Sequence, residues 1–392
     1  MASSAEEKDL KDLFKDVKEL SKSYKSVSKA EFVKSGSVVF DALLGGGIPR
    51  GTFILWSSES GCGKSTGALH IACTYCIQGL KVLYLDYEGG VNSSQIEGIG
   101  LKPFLYDEDD NPEGPFILFQ CQTYKDGEKI LDKLMSKVDL VVIDSMTAIN
   151  AEKLKESSSE DSLPGLDARI TSTFMKKYKP EAVRHGVTWI MINQIRTKIA
   201  IGYGQVTHDE EAGGNALRFF PDIRLWMKKQ YKGTLEQDEL TSAGKMKVPF
   251  GSLCQIYAVK NRYERPNIPL SIAIIFGKGI ENGYAYYDFL ENDGVIKKSG
   301  AWYEVKFGGI EEKINGHNKV VDFLNAHKDE VRKYIESKGG YRLLLNSNKA
   351  IDIGGESEEI DLNKAIVEDF DSVSSEYDTE EEAGHKEGVS EE

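Results

Sequence analysis

Short runs of apolar residues alternate with helical segments between Thr52 and about Ile275. Four runs rich in Val, Ile and aromatic residues predict buried strands: TFILWS, KVLYLDY, LVVIDS and VTWIMIN. The segments STGALHIACTYCIQG and GLDARITSTFMKKY predict helices, and the later runs SLCQIYAVKN and LSIAIIFG extend the sheet. Strands that alternate with helices predict an α/β fold with a mostly parallel central sheet covered on both faces.

The two ends of the chain have different patterns. Near the N terminus, apolar residues recur at helical spacing among charged ones: Leu10, Leu13, Phe14, Val17 and Leu20. This pattern predicts an amphipathic helix, whose apolar stripe packs on its own domain or on a neighbouring subunit. Beyond Lys278 the pattern predicts a small α+β domain that ends near Leu345, followed by an acidic segment without a core-forming pattern.

Composition and charge limit the classes of function. Apolar residues make up 40% of the chain, and no run approaches the roughly 18 apolar residues of a membrane helix. MASSAEEKDLKDLF lacks the features of a signal peptide, and the five scattered cysteines favour a reducing compartment, so we expect a cytoplasmic protein.

The net charge is −14, but residues 351–392 alone hold 16 acidic and 2 basic residues. The remaining chain is neutral overall and can still carry a basic groove for nucleic acid.

The segment SSESGCGKST, from Ser57 to Thr66, follows a phosphate-binding pattern in which one glycine is replaced. The pattern G-x-x-x-x-G-K-[ST] has glycine where this chain has Ser58, and a residue with a Cβ is less at ease at positive φ. Between a strand and a helix, such a loop directs backbone N–H groups at an anion. Lys64 can reach the β- and γ-phosphates, and the Ser65 hydroxyl can bind Mg²⁺. The predicted nucleotide loop comprises Ser58, Glu59, Ser60, Gly61, Cys62, Gly63, Lys64, Ser65 and Thr66.

Two acidic residues at strand ends complete the candidate site. Asp144 ends the run LVVIDS, at the edge of the sheet where ligands bind in such folds. With the loop about 80 residues earlier, it predicts a P-loop nucleotidase in which Asp144 holds the water shell of Mg²⁺. Glu88 lies just beyond LYLDY, where it either orients the attacking water or is an ordinary acid at a strand end.

Seven segments resemble, in order, those of the RecA family of strand-exchange recombinases: VKSGSVVFDALLGGGIPRG, IDSMTAI, EDSLPGLDARI, MINQIRTKIAIGYG, EAGGNALRFFPDIRLWMKK, VKNR and GVIKKSGAWY. The resemblance covers about Val33 to Ser337. Its most specific part is NQIR followed by GGNAL, because simple P-loop enzymes lack it. The diverging details favour a bacteriophage member of the family.

The resemblance implies catalytic roles for four positions. Glu88 matches the catalytic glutamate of the family, and Gln194 matches the glutamine that senses the γ-phosphate and couples it to the following loop. Lys260 and Arg262 match two basic residues that reach the ATP of the neighbouring subunit. Arginine at the second place, where the family has lysine, keeps the charge and adds a bidentate fork.

The resemblance also implies an adenine pocket. Phe276 and Gly277 match one side of it, whereas Gln95 stands where the family has an aromatic residue that stacks on adenine. We therefore expect ATP to bind with relaxed selectivity for the base.

Two loops resemble the family's DNA-binding loops. The first, NAEKLKESSSEDSLPG, leads into Arg169, which we predict to bind DNA, but has Pro164 in place of a bulkier apolar wedge. The second loop, Arg196–Asn215, suits a stretched single strand held by its backbone without sequence readout. The contacts predicted in it are Arg196, Lys198, Ile199, Gly213, Gly214 and Asn215. Without the resemblance, the acidic segment His208–Glu211 favours a mobile surface loop.

These observations predict four segments: an oligomerisation helix with its linker (1–32), a RecA-like P-loop ATPase core (33–277), a small DNA-binding α+β domain (278–348) and a disordered acidic tail (349–392). The tail either is a solubilising appendage, competes with DNA for basic surfaces, or recruits a basic partner. The basic surfaces are those around Lys297, Lys298, Lys306 and Lys313.

The predicted function is ATP-dependent recombination, in which helical filaments on single-stranded DNA pair it with duplex DNA and exchange strands. ATP and Mg²⁺ are the expected cofactors, and a loader or single-strand-binding protein is an expected partner. Two alternatives stay open: a RecA-fold motor such as a helicase or translocase, and a filament scaffold that binds ATP without significant turnover. The scaffold hypothesis rests on Ser58, which departs from the phosphate-binding pattern. A motor would require an additional large DNA-processing domain.

Overall fold

The computed structural model describes residues 30–106, 114–149, 166–198, 208–211, 215–241, 244–338 and 340. The predicted N-terminal helix, the first DNA-binding loop with Pro164 and the acidic tail lie outside these residues. The boundaries of the four predicted segments stay predictions.

The strands carry the following bounds: β1 Phe32–Val33, β2 Ile48–Pro49, β3 Phe53–Ser58, β4 Val82–Asp86, β5 Phe116–Gln120, β6 Leu140–Asp144, β7 Thr188–Lys198, β8 His208–Glu211, β9 Ile223–Thr241, β10 Gly244–Asn261, β11 Leu270–Ile275, β12 Gly279–Glu281, β13 Ile296–Ser299, β14 Trp302–Phe307 and β15 Ile310–Asn315.

The central sheet has the strand order β12-β11-β10-β9-β3-β7-β6-β4-β5, and β8 pairs with the far end of β7. From β9 to β5 all neighbouring strands run parallel, whereas β10, β11 and β12 continue the sheet with antiparallel pairing. This confirms the predicted α/β fold with a mostly parallel sheet. The carboxyl ends of β3, β4, β6 and β7 therefore lie along one edge.

The helices carry the following bounds: α1 Val38–Leu43, α2 Lys64–Ile77, α3 Ser93–Ile99, α4 Tyr124–Leu134, α5 Leu166–His185, α6 Asn215–Phe219, α7 Gly283–Asn292, α8 His317–Ala326 and α9 Lys328–Ser337. Within the described residues, none of these helices is long and apolar enough to cross a membrane.

Two apolar cores lie on the two faces of the central sheet. All residues of β3, β4 and β6 are buried, as the continuous apolar runs predict for strands covered on both sides. Trp56 and Tyr84 belong to the core that contains α2, whereas Phe53 and Trp189 belong to the core that contains α5. The rings of Phe53 and Trp189 stack with their centroids 4.9 Å apart. The alternating side chains of one strand thus anchor both layers of helices.

The apolar pattern of the sequence does not predict two parts of the sheet. β5 lies at the edge of the sheet and is only half-buried, so its run FILFQ is less distinctive than those of the central strands. β9 and β10 continue as a ribbon, in which Glu236–Thr241 of β9 pair only with Gly244–Pro249 of β10. The sequence of the ribbon is mostly polar and shows no apolar periodicity, so it gives no strand signal.

The region after the central sheet has the α+β pattern that the sequence predicts. Strands β13, β14 and β15 form a separate antiparallel sheet. In β14, Tyr303, Val305 and Phe307 are buried, and the residues between them are exposed, which gives the period of two expected for a sheet with one covered face.

We predict that G67A destabilises the fold. Gly67 lies in α2, and a Cβ there would collide with the ring end of Trp56, which is fully buried and packs edge-on against Phe40. We expect the free energy of unfolding in urea to fall by about 1–3 kcal/mol, despite the helix preference of alanine. G90A is the matched control, because a Cβ at Gly90 meets no atom within 4 Å. An unchanged unfolding midpoint for G67A would contradict the packing described for Trp56.

Candidate nucleotide-binding site

The predicted phosphate loop connects β3 to α2. Gly61 and Gly63 have φ of +77° and +87°, the left-handed region that favours glycine. A Cβ at Gly63 would also lie 2.8 Å from Cγ2 of Ile274 in β11. The loop needs glycine at both positions, because both residues have left-handed φ. At Gly63 a side chain would also collide with β11.

Ser58 does not occupy a strained position. It is the last residue of β3, and among the described residues only Lys232 and Asn267 combine a side chain with positive φ. The expectation that the missing glycine strains the turn is therefore wrong, because Ser58 keeps the backbone of a strand. Its hydroxyl donates to the carbonyl of Glu59 at 2.7 Å, a bond that glycine cannot make.

Lys64 begins α2 and turns back over the loop. Its Nζ donates to the carbonyl and the hydroxyl of Ser58, at 3.1 and 2.8 Å, and to the carbonyl of Glu59 at 2.9 Å. Burial lowers the pKa of Lys64, and the Asp144 and Glu88 carboxylates are among the groups that oppose this shift. The ammonium lies beside the amino end of a 14-residue helix. An anion bound at this loop would therefore interact both with the Lys64 charge and with the positive end of the helix dipole.

Asp144 ends β6 and is almost completely buried. The Tyr84 hydroxyl donates to Oδ2 at 2.7 Å, whereas Oδ1 is buried without a hydrogen-bond partner among the described residues. Burial raises the pKa of Asp144 to about 6, although the hydroxyls of Ser65 and Tyr84 lower it. A buried carboxylate oxygen without a partner, next to a serine hydroxyl, provides the oxygen ligands that Mg²⁺ prefers. Ser65 and Asp144 therefore fit the predicted metal site.

Glu88 lies beyond the end of β4, beside Asp144. Residues Asp86 and Asp144 are partners in the β4–β6 register, and the Tyr87 N–H donates to the Asp144 carbonyl at 2.7 Å. The side chain of Glu88 accepts a hydrogen bond from the Ser145 hydroxyl. Glu88 is itself exposed, so its carboxylate can contact water at this edge of the sheet.

Asp86 fixes the backbone that carries Glu88, a role that the sequence did not reveal. Its buried carboxylate accepts the backbone N–H groups of Glu88, Gly89 and Val91 at 3.0, 2.8 and 3.0 Å. A carboxylate with three backbone donors holds this loop in one conformation. In the sequence Asp86 looks like any polar residue that ends a strand.

Gln194 lies next to the phosphate loop. β3 and β7 are parallel neighbours, and Ser58 is the register partner of Gln194. β7 continues to Lys198 and pairs antiparallel with β8, from Ile195 opposite Glu211 to Lys198 opposite His208. The outgoing residues of the second loop up to Lys198 and its returning segment His208–Glu211 are therefore paired strands, in contrast to the mobile loop that its acidic residues favour.

The adenine-pocket residues lie near the phosphate loop. Phe276 and Gly277 follow β11, which contacts the loop through Ile274, and Phe276 is half-exposed. A Cβ at Gly98 of α3 would collide with the Gly277 carbonyl, so α3 packs against this turn. Gln95 uses its side-chain oxygen to accept the Asn92 N–H at 3.2 Å in a capping box.

Lys260 and Arg262 lie at the opposite edge of the sheet. Arg262 Nη1 lies 2.8 Å from Asp222 Oδ1, and Lys260 Nζ donates to the Phe219 carbonyl at 2.9 Å. The other Asp222 oxygen accepts the N–H of Phe53, the first residue of β3. Phe53 and Ser58 are the first and last of the six residues of β3, and the five steps between them span about 16 Å. The structure therefore separates these two cations from Lys64 and Glu88 within one protomer.

The predicted DNA contacts lie only partly within the described residues. Arg169 is exposed in the first turns of α5. Arg196 and Lys198 belong to β7, and Asn215 begins α6. Ile199, Gly213 and Gly214 lie outside the described residues, so the contacts predicted for them stay predictions.

Comparison with known proteins decides the family. The model of the RecA N-terminal domain matches residues 10–281. Protein RecA of Lactococcus lactis subsp. cremoris is 31% identical over 305 residues, which cover 77% of this chain and 73% of the relative. Protein RecA of Nostoc punctiforme is 28% identical over 337 residues, 86% of this chain and 88% of the relative. The chain belongs to the RecA family.

As a RecA family member, the chain is a recombinase and a DNA-dependent ATPase, which confirms the class predicted from its motifs. The motor and scaffold alternatives are not favoured. The relatives named above are bacterial, so they lend no support to a bacteriophage origin, which stays a prediction.

We predict that S58G retains ATP binding and G63A loses it. S58G removes one of the three acceptors that hold Lys64, so ATP affinity should stay equal or tighten by up to about fivefold. G63A adds a collision with Ile274 to an unfavourable φ, so affinity should fall by about a hundredfold. Titration of a fluorescent ATP analogue measures both affinities.

G61A is the matched control for the collision. Gly61 also has positive φ, but a Cβ there meets no atom within 4 Å, so its loss of affinity should be smaller than that of G63A. Weaker binding by S58G than by the unchanged protein would show that Ser58 acts in nucleotide binding itself.

Proposed function

We propose that ATP binds between neighbouring protomers of a filament on single-stranded DNA, and that its hydrolysis lowers the affinity of the filament for DNA. The separation of the two sets of charged residues supports this proposal. Lys64, Asp144 and Glu88 lie at one edge of the sheet, whereas Lys260 and Arg262 lie at the other. Only a second copy of the chain can bring them together, in a heterologous contact that generates a helix when it does not close.

In this proposal the phosphate loop binds the β- and γ-phosphates. Lys64 transfers its hydrogen bonds from the Ser58 and Glu59 oxygens to the phosphates, and the backbone N–H groups at the start of α2 complete the cradle. Ser65 and Asp144 would hold Mg²⁺, which would supply positive charge to the phosphate oxygens.

Glu88 orients the attacking water. Its exposed carboxylate lies beside the metal ligand Asp144, and the bonds that Asp86 and Ser145 make fix its position. A carboxylate held at this place accepts a hydrogen bond from water and aligns it with the γ-phosphate.

Lys260 and Arg262 stabilise the charge of the transferred phosphoryl group from the neighbouring protomer. Burial lowers the pKa of Lys260, and the Arg262 charge lowers it further. The triphosphate of a neighbour supplies the anion that relieves this repulsion, so assembly and nucleotide binding favour each other.

Gln194 relays the presence of the γ-phosphate to the second loop, which begins two residues later in the same strand. There Arg196 and Lys198 bind DNA phosphates, Ile199 separates bases, and Gly213, Gly214 and Asn215 allow close backbone contact. Arg169 adds a phosphate contact from α5. None of these contacts reads a base edge, so any sequence can be bound.

Further proposals concern the surroundings of the filament. The chain acts in the cytoplasm, with a loader or single-strand-binding protein as partner.

The first test is ATP hydrolysis with and without single-stranded DNA at several salt concentrations. We expect strong stimulation by DNA that declines with salt, and a loss of about a hundredfold or more in kcat for E88Q. E88Q should bind a fluorescent ATP analogue as the unchanged protein does. E97Q, at an exposed acid paired with Lys102, is the matched control and should retain activity. ATP binding without any DNA-stimulated hydrolysis would overturn the proposal and leave the scaffold.

A second test separates action within a protomer from action between protomers. E88Q and R262A should each be inactive alone, because each lacks one half of every site. Mixed in equal amounts, they should regain about a quarter of the unchanged rate, since one interface in four then joins two intact halves. The rate of DNA-stimulated phosphate release measures this recovery. No recovery in filaments that contain both variants would place Arg262 in the site of its own protomer.

A further inference from the structure

Glu211 lies at the centre of a buried network that the proposed function does not use. It is the last residue of β8, where the chain returns from the second loop. Its Oε1 accepts the Ser57 hydroxyl at 2.8 Å and the Trp226 Nε1–H at 2.6 Å. Its Oε2 accepts Nε and Nη2 of Arg224 at 3.1 and 2.6 Å. The Glu211 side chain is only 2% exposed.

A buried carboxylate with four donors is not an ordinary surface acid. Removal of a charge from water is costly, and it is tolerated only where a counter-charge and hydrogen bonds compensate. Arg224 supplies the counter-charge, and Ser57 and Trp226 occupy the other oxygen. Glu211 therefore has one well-defined position, which fixes the end of β8.

The partners of Glu211 connect it to the phosphate loop. Ser57 and Ser58 are consecutive in β3, so their side chains point to opposite faces of the sheet. On one face Ser58 holds the Lys64 ammonium, and on the other Ser57 donates to Glu211. The last two residues of one strand thus contact the phosphate-binding lysine and the returning end of the second loop.

The two ends of the second loop are attached beside each other. The outgoing end follows Gln194, which is the register partner of Ser58. The returning end is held by Glu211, which is opposite Ile195 in the pairing of β8 with β7. The end of β3 therefore contacts both strands of the loop, the outgoing one through the pairing of Ser58 with Gln194 and the returning one through Ser57.

We propose that Glu211 is a positioning residue that couples the phosphate loop to the second DNA-binding loop through Ser57. This inference rests on the proposed function, because it adds to Gln194 a second connection between the phosphate loop and the second DNA-binding loop. Glu211 touches neither nucleotide nor DNA in this proposal. It holds the returning strand so that nucleotide state changes the conformation of the loop at both ends.

The decisive quantity is a ratio of DNA affinities. Fluorescence anisotropy of a labelled oligothymidylate gives the affinity with a non-hydrolysable ATP analogue and with ADP. The ratio of the two measures coupling between nucleotide and loop. A merely structural residue would weaken both affinities equally and leave the ratio unchanged.

W226F and S57A are the mildest variants, because each removes one donor to Glu211 and leaves the ion pair with Arg224 in place. We expect each to lower the ratio about fivefold, and E211Q to lower it by more than tenfold, since it also removes the charge. E181Q is the matched control for E211Q, because Glu181 pairs with Arg184 on the surface of α5, and its ratio should be unchanged. Binding of a fluorescent ATP analogue without DNA should stay within about twofold for S57A and W226F.

The outcomes separate this inference from the proposed function. If the unchanged protein shows no difference in DNA affinity between the two nucleotides, the proposed function fails, whatever the variants do. If the unchanged protein shows the difference and folded S57A and W226F retain it in full, the coupling through Glu211 is refuted. A loss of DNA affinity that is equal in both nucleotide states also refutes it, because Glu211 is then only structural.

Discussion

The carboxyl end of β3 is the constraint on which the rest of the site depends. β3 lies between β7 and β9 with parallel pairing on both sides, so its last residues have neighbours on either flank. The alternation of a strand sends Ser58 to the phosphate loop and Ser57 to the opposite face. Because β6 and β4 belong to the same parallel sheet, Asp144 and Glu88 lie at the same carboxyl ends of the strands as Ser58. A change in the position of this one strand end would move Ser58 and with it the phosphate loop that carries Lys64.

Much of this arrangement can be predicted from local sequence. Buried parallel strands are continuous apolar runs, and a phosphate loop and its metal ligand follow such runs directly, so the positions of Lys64 and Asp144 could be inferred without a structure. The buried acids Asp86 and Glu211 could not. Glu211 and Ser57 are 154 residues apart, and an acid that is paired over such a distance has no local signal. In the acidic segment that contains it, Glu211 looks like a solvated residue.

Ser58 shows where a motif carries physical information. The pattern has a glycine there, but the backbone at this position is that of a strand, which any residue can adopt. The positions that require glycine are those with left-handed φ or close neighbours, and Gly63 has both. The replaced glycine therefore does not diagnose a degraded site. It exchanges a flexible residue for a hydroxyl that holds Lys64.

The ion pairs of Asp222 are consistent with the proposed release of Arg262 to a neighbouring protomer. Arg262 is 59% exposed, and an exposed ion pair contributes only about 0–1 kcal/mol, so its release from Asp222 is cheap compared with the gain from a triphosphate. Asp222 does not become unpaired when Arg262 leaves, because Lys179 lies 2.9 Å away and the Phe53 N–H still donates. The Lys179 pair is the less exposed of the two and stays in place. Asp222 thus holds the arginine near this end of the sheet through a weak pair, which in the proposed function would not compete strongly with a neighbour's ATP. The same sheet that fixes the phosphate loop at one end of its strands therefore leaves Arg262 exposed and weakly paired at the other end, as the proposed action on a neighbouring site requires.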